Sequence, residues 1–178
     1  MRALSLCLLL AACASAHNPP PPAAPPSSVS ALAPVELRTL DGRPARLDEV
    51  ARGRPALVSL WATWCDACAR ELDALGRLHE ATRNAGGAVI AIAVGEPHAQ
   101  VAAFVQRRAL PWAQLVDERF QLADALGQSR VPATLVLDRD GRVVYRGGAF
   151  DEAALAAFRR ALADGARADT GRDRAAAP

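Results

Sequence analysis

The residues best suited to chemistry are two cysteines three positions apart, Cys65 and Cys68, in the run WATWCDACARE over residues 61–71. If this run passes from a strand into a helix, Cys65 stands at the helix head. There the unpaired backbone amides and the helix dipole favour a negative charge, so its thiol ionises more readily than a free one. Cys65 is therefore the expected nucleophile. Cys68, one turn further in, is placed to attack the mixed disulfide that Cys65 forms and to release the product in an intramolecular step. Other readings stay open. Half of a zinc site needs four ligands, and besides Cys13 only His17, His79 and His98 are on offer. Haem attachment needs a histidine straight after the second cysteine, where Ala69 stands. A static bridge closing so short a loop removes little chain entropy.

The elements that must position the pair follow from apolar patterning. Residues 56–61 form an unbroken apolar-rich run, as expected of a strand buried on both faces. After Trp64 the period lengthens: Cys68, Leu72, Leu75 and His79 recur at helical spacing, up to the Gly86-Gly87 break. A second buried strand is expected over 88–94, a helix over 101–108, a short strand at 115–116, and a helix over 120–126 closed by Gly127. Residues 134–138 and 143–146 form a hairpin at Asp140-Gly141, and Asp151 caps a last helix carrying Leu155, Phe158 and Leu162. An opening hairpin is expected over 35–40 and 46–47, around Asp41-Gly42-Arg43-Pro44. Helices alternating with buried strands imply a three-layer α/β domain over residues 35–163.

Outside that domain the sequence changes character. Residues 1–12 are read as an export signal: Arg2, a short apolar run from Leu4, then small residues before Cys13. Leu10-Ala11-Ala12-Cys13 resembles a bacterial lipobox, which implies that Cys13 is lipidated; cleavage near Ala14-Ser15-Ala16 without lipid is the alternative. The apolar run is too short to span a hydrocarbon core of about 30 Å. Residues 13–34 hold seven of the thirteen prolines and are expected to be a semi-rigid tether. Residues 164–178 mix Arg, Asp and Ala without apolar period and are expected to be a disordered tail.

Composition excludes some classes. With 178 residues, 51% apolar, the chain can bury one ordinary core. A net charge of +2 from 21 basic and 19 acidic residues spread along the chain leaves no basic footprint for nucleic acid.

The CxxC run resembles the active site of the thioredoxin superfamily, and with the export signal it resembles the TlpA/ResA-type membrane-anchored thiol-disulfide oxidoreductases. The similarity covers residues 35–163. The opening hairpin and Leu47-Asp48 are similar to an N-terminal extension, residues 55–71 to the strand and CxxC helix, and Val94-Gly95-Glu96 to a segment with a glutamate near the cysteines. Val131-Pro132-Ala133-Thr134 is similar to a cis-proline loop, and residues 137–144 to the closing hairpin. The resemblance implies a central mixed β-sheet flanked by helices with an N-terminal β-hairpin extension. It places Pro132 against the disulfide, with Trp64 and Val131 completing an apolar platform for an extended substrate. It puts Glu96 near Cys68 as a partly buried proton handler; an exposed loop carboxylate is the plain alternative. Trp61 is read as core, His79 as a half-buried packing residue and His98 as a surface residue.

Some positions depart from the pattern. Ser59 stands where thioredoxin has a buried aspartate, Asp66-Ala67 lacks the usual proline, and Asp73 replaces a helix-kinking one. Asp66 beside the nascent thiolate opposes its formation and favours a reductant. The reading is thus a cell-envelope, lipid-anchored enzyme that reduces the disulfides of exported proteins. It needs no cofactor or metal beyond its own dithiol, draws on an upstream membrane thiol donor, and acts as a monomer. The resemblance extends to apocytochrome c thiols as targets, in cytochrome c maturation. Two alternatives remain. A thiol peroxidase would want its threonine one place away from Thr63, and a Cu(I) chaperone would use Cys65, Cys68 and His98.

Overall fold

The computed structural model describes residues 35–175, with side chains to Arg167. The expected leader, Cys13 and the Pro-rich tether lie outside the described residues. Seven strands form one mixed sheet in the order β2-β1-β5-β4-β3-β6-β7. In chain order the elements are β1 (Leu37–Thr39), β2 (Pro44–Ala45), α1 (Leu47–Ala51), β3 (Ala56–Trp61) and α2 (Asp66–Thr82). A 3-10 turn over Arg83–Ala85 leads to β4 (Ala88–Val94), α3 (His98–Arg108), β5 (Ala113–Asp117) and α4 (Gln121–Ala125). The chain closes with β6 (Ala133–Leu137), β7 (Val143–Gly147) and α5 (Glu152–Ala175).

The layering explains why β3 and β4 read as unbroken apolar runs. Alternate residues of β3 face opposite ways: Val58 and Leu60 pack with Ile90 and Ile92 against Leu122 and Leu126 at α4. Leu57 and Trp61 pack with Val89 against Leu72 and Leu75 of α2, Val101 of α3 and Phe158 of α5. With both faces covered, no position on the central strands is left for a polar residue except Ser59, itself buried. The three-layer expectation holds. The opening hairpin pairs Leu37 with Ala45 and joins the sheet edge through antiparallel contacts of β1 with β5.

Four local expectations are corrected. The second strand of the opening hairpin, expected at 46–47, is Pro44–Ala45, with Leu47 starting α1 instead; Pro44 is tolerated there because β2 is the edge strand of the sheet. The short helix α1 has no counterpart in the sequence reading; five residues are too few to show a period. α3 starts at His98, three residues early, because Pro97 precedes it as N-cap and polar His98-Ala99-Gln100 carry no apolar stripe. Residues 164–178 were expected to be disordered, yet α5 runs on to Ala175. The sequence there is rich in Ala and Arg, which favour helix without any apolar period. It is also anchored: Gly165 packs on Pro55 and its carbonyl accepts from Arg139 Nη1 at 3.1 Å.

Candidate active site

The site forms where β3 ends and α2 begins. β3 delivers Trp61 into the core, its ring 5.3 Å from Phe104, and the chain turns through Ala62-Thr63-Trp64 to Cys65. Cys65 is the N-cap of α2, and its Sγ accepts the backbone N–H of Cys68 at 3.1 Å. One sulfur therefore satisfies an otherwise unpaired helix-start amide, a place that also stabilises a thiolate. Cys65 and Cys68 are joined in a disulfide, their Cα atoms 5.2 Å apart, within the range that bridges without moving the backbone. Both cysteines are buried, Cys68 at 2% exposure and Cys65 at 7%, so Cys65 is the more exposed residue of the pair. Trp64, beside it, is 65% exposed.

The second loop of the site precedes β6. The Val131-Pro132 peptide is cis. Both residues are partly exposed, and Val131 packs against the cluster that contains Cys65 and Cys68. β6 runs antiparallel to β3, with Ala133 opposite Leu60. That register brings the start of β6 to the end of β3, so Pro132 and the CxxC run lie at the same end of the sheet.

The third piece is Glu96, after β4. It is 3% exposed, and the plain reading of an exposed loop carboxylate is corrected: Gly95 turns the chain at φ +70 and directs the side chain inward. Thr63 donates its N–H to Oε2 at 2.6 Å and its hydroxyl to Oε1, and Gln100 donates Nε2 to Oε1 at 2.7 Å. Glu96 is thus tied to the loop that leads into Cys65.

Glu71 was missed by the sequence reading. It lies three residues after Cys68 on the same helical face, among Cys68, Leu72 and Leu75. Its Oε2 is buried with no hydrogen-bond partner, and burial pushes its carboxyl up against the opposing Phe150 backbone hydrogen bond and Arg70 charge. A glutamate set on an apolar stripe one turn from a cysteine was the available signal. His79 is half-buried, its ring 6.4 Å from Trp112, and His98 sets Nε2 2.9 Å from the Thr39 carbonyl. Among the described residues, no three His, Cys, Asp or Glu side chains are grouped to hold a metal ion, and no helix is long and apolar enough to cross a membrane.

The arrangement can exchange a disulfide. A sulfur at a helix head is backed by a second sulfur one turn in, with two buried or half-buried carboxyls in the surrounding elements.

Comparison with known proteins agrees with this geometry. Residues 30–146 match the AhpC/TSA family. The thiol-disulfide oxidoreductase ResA of Geobacillus thermodenitrificans is 32% identical over 117 residues, covering 65% of this chain and 67% of that protein. A thiol:disulfide interchange protein of the thioredoxin family from Chlorobium tepidum superposes with TM-score 0.62 at 22% identity, covering 78% of this chain and 96% of that one. The exposed lipoprotein thioredoxin Etrx1 of Streptococcus pneumoniae superposes with TM-score 0.60 at 20% identity, covering 73% and 98%.

Proposed function

The chain belongs to the AhpC/TSA family within the thioredoxin superfamily and is a thiol-disulfide oxidoreductase; from that premise we propose that it works outside the cytoplasm as a reductant of protein disulfides. The observation that carries the reading is the Cys65–Cys68 bridge at the head of α2, at the end of the sheet it shares with Pro132.

In the reduced protein the Cys65 thiolate attacks one sulfur of a substrate disulfide. That S–S bond breaks, a Cys65–substrate bond forms, and the other substrate sulfur leaves and takes a proton. Cys68, as thiolate, then attacks Cys65 Sγ. The second substrate thiol departs, and the Cys65–Cys68 bond forms. Two electrons have passed from the protein dithiol to the substrate, and two protons end on its thiols. An upstream membrane dithiol returns the electrons by the reverse exchange.

The residues around the pair support the direction. Asp66, in the first turn of α2, sets negative charge near the nascent thiolate, which disfavours it and makes the dithiol more ready to give electrons up. Glu96 is the proton handler of this reading, with Trp64, Val131 and Pro132 the platform for the substrate. Placement outside the cytoplasm rests on the leader-like residues 1–12 and on the lipoprotein neighbour. Within it, Cys13 is the lipid attachment point and the exported, disulfide-containing proteins include apocytochrome c.

The test is insulin reduction by the full chain with dithiothreitol as donor. The native sequence should speed precipitation of the insulin B chain, and Cys65→Ser should fall to the dithiothreitol background. Equal rates for the two would overturn the reading.

A further inference from the structure

Phe120 holds a conformation that its residue type disfavours. Its φ is +58, in the left-handed region that bulky side chains avoid. Asp117 fixes it there. The Asp117 carboxylate accepts the backbone N–H groups of Gln121, Leu122 and Ala123 at 2.8, 2.9 and 3.1 Å, so the turn at Phe120 cannot relax without losing the start of α4. The ring lies over Gly95, where a Cβ would overlap it. Two positions thus give up ordinary side-chain geometry to fix one aromatic ring. That ring is not core: it is 44% exposed.

What it lines is a cavity of about 310 Å³ with a floor of Leu60 and Val94 and walls shared with Trp64 and Val131. Trp64 precedes Cys65, and Val131 precedes Pro132. The cavity therefore adjoins the two loops that carry the exchange site. Its rim carries Asp124 and Arg130, one charge of each sign, which offers a charged ligand no net attraction. Its volume is at the low end for pockets that enclose a whole small ligand, and fits one or two side chains.

We propose that this cavity selects the substrate. It takes an uncharged apolar side chain adjacent to the cysteine under attack in a polypeptide, and Phe120 is the specificity-determining residue. The inference rests on thiol exchange at Cys65. A chain whose sulfur meets Cys65 places its next residue about 3.3 Å along, over the Trp64–Val131 lip of the cavity.

The experiment uses the full chain, reduced, and two peptide disulfide homodimers that differ only in having Leu or Ser beside the cysteine. Hydroxyethyl disulfide, which has nothing to fill the cavity, is the reference. The native sequence should reduce the Leu peptide roughly tenfold faster than the Ser peptide. With each rate taken relative to the same variant's rate on hydroxyethyl disulfide, Phe120→Ala should bring the ratio to within about twofold and Phe120→Leu should keep most of it. A native ratio near one, or a ratio unchanged in Phe120→Ala, overturns the proposal; the native ratio decides without any variant having to fold. Slowing of Phe120→Ala on all three substrates alike also overturns it. If the native chain leaves hydroxyethyl disulfide intact, exchange itself fails and takes this inference with it.

Discussion

Thr63 gives both its backbone N–H and its hydroxyl to the carboxylate of Glu96, 33 residues further along, and so binds the loop entering Cys65 to the loop leaving β4. With Gln100 donating as well, both carboxylate oxygens accept hydrogen bonds in a buried place. Glu96→Gln sets an amide N–H₂ against one of these donors. The expected loss is about 1–3 kcal/mol of unfolding free energy for the oxidised protein, the cost of a buried group left unpaired. Urea denaturation measures it, and a change under about 0.5 kcal/mol would count against the network.

Gly95 and Phe120 should be coupled. Gly95→Ala alone forces a methyl group into the ring and should cost about 1–3 kcal/mol. In a Phe120→Ala background the same change should cost only about 1 kcal/mol, the residual strain of alanine at the φ of +70. A double-mutant cycle by thermal or urea unfolding reads the difference, and additive effects would refute the contact.

Glu71 should make stability depend on pH. Burial raises its carboxyl above the unfolded value, so ionisation is harder in the folded protein than in the unfolded chain. The contribution is intact while the group is protonated in both states, and is lost as pH rises through the raised native value. Glu71→Gln removes that titration. Between pH 4 and pH 8 the urea midpoint of Glu71→Gln should rise relative to the native sequence. Asp117 is also pushed up by burial, but it is present in both proteins and cancels. A gap that stays constant with pH would dismiss Glu71 as the cause.

Replacing Cys68 by Ala removes the resolving sulfur. Mixed disulfides on Cys65 should then persist and appear as dithiothreitol-sensitive adducts on non-reducing gels, with the captured proteins identified by mass spectrometry. The parallel Cys65→Ala protein should capture far less, because Cys68 lies inside α2 and is the less exposed residue of the pair. Equal capture by both variants would reverse the assignment of attacker and resolver.

What the sequence made legible follows from how each signal arises. β3 and β4 were bounded to the residue, because a strand covered on both faces writes nearly its whole length as apolar residues, Ser59 being the one exception. The cysteine pair declared itself by spacing and context. Glu96 was reached only through resemblance: its inward direction depends on the turn at Gly95, which no local pattern of carboxylates encodes. Glu71 had a local signal, a carboxylate on an apolar helical face, that went unread. Phe120 had none, since its residue type argues against the conformation it adopts. The helical run past Asp164 was hidden for the opposite reason: alanine and arginine favour helix whether or not a face is buried.

The antiparallel pairing of β6 with β3 has a consequence for how the protein tolerates change. Leu60 opposite Ala133 means that five rungs of main-chain ladder, and not the length of the segment before Val131, fix the spacing between the two loops. Residues can be added or lost between Gly127 and Arg130 while the sulfurs keep their neighbour. Slipping β6 by a single residue would turn Leu135 and Leu137 to the opposite side of the sheet and carry Pro132 out of alignment, so reactivity and core would fail together.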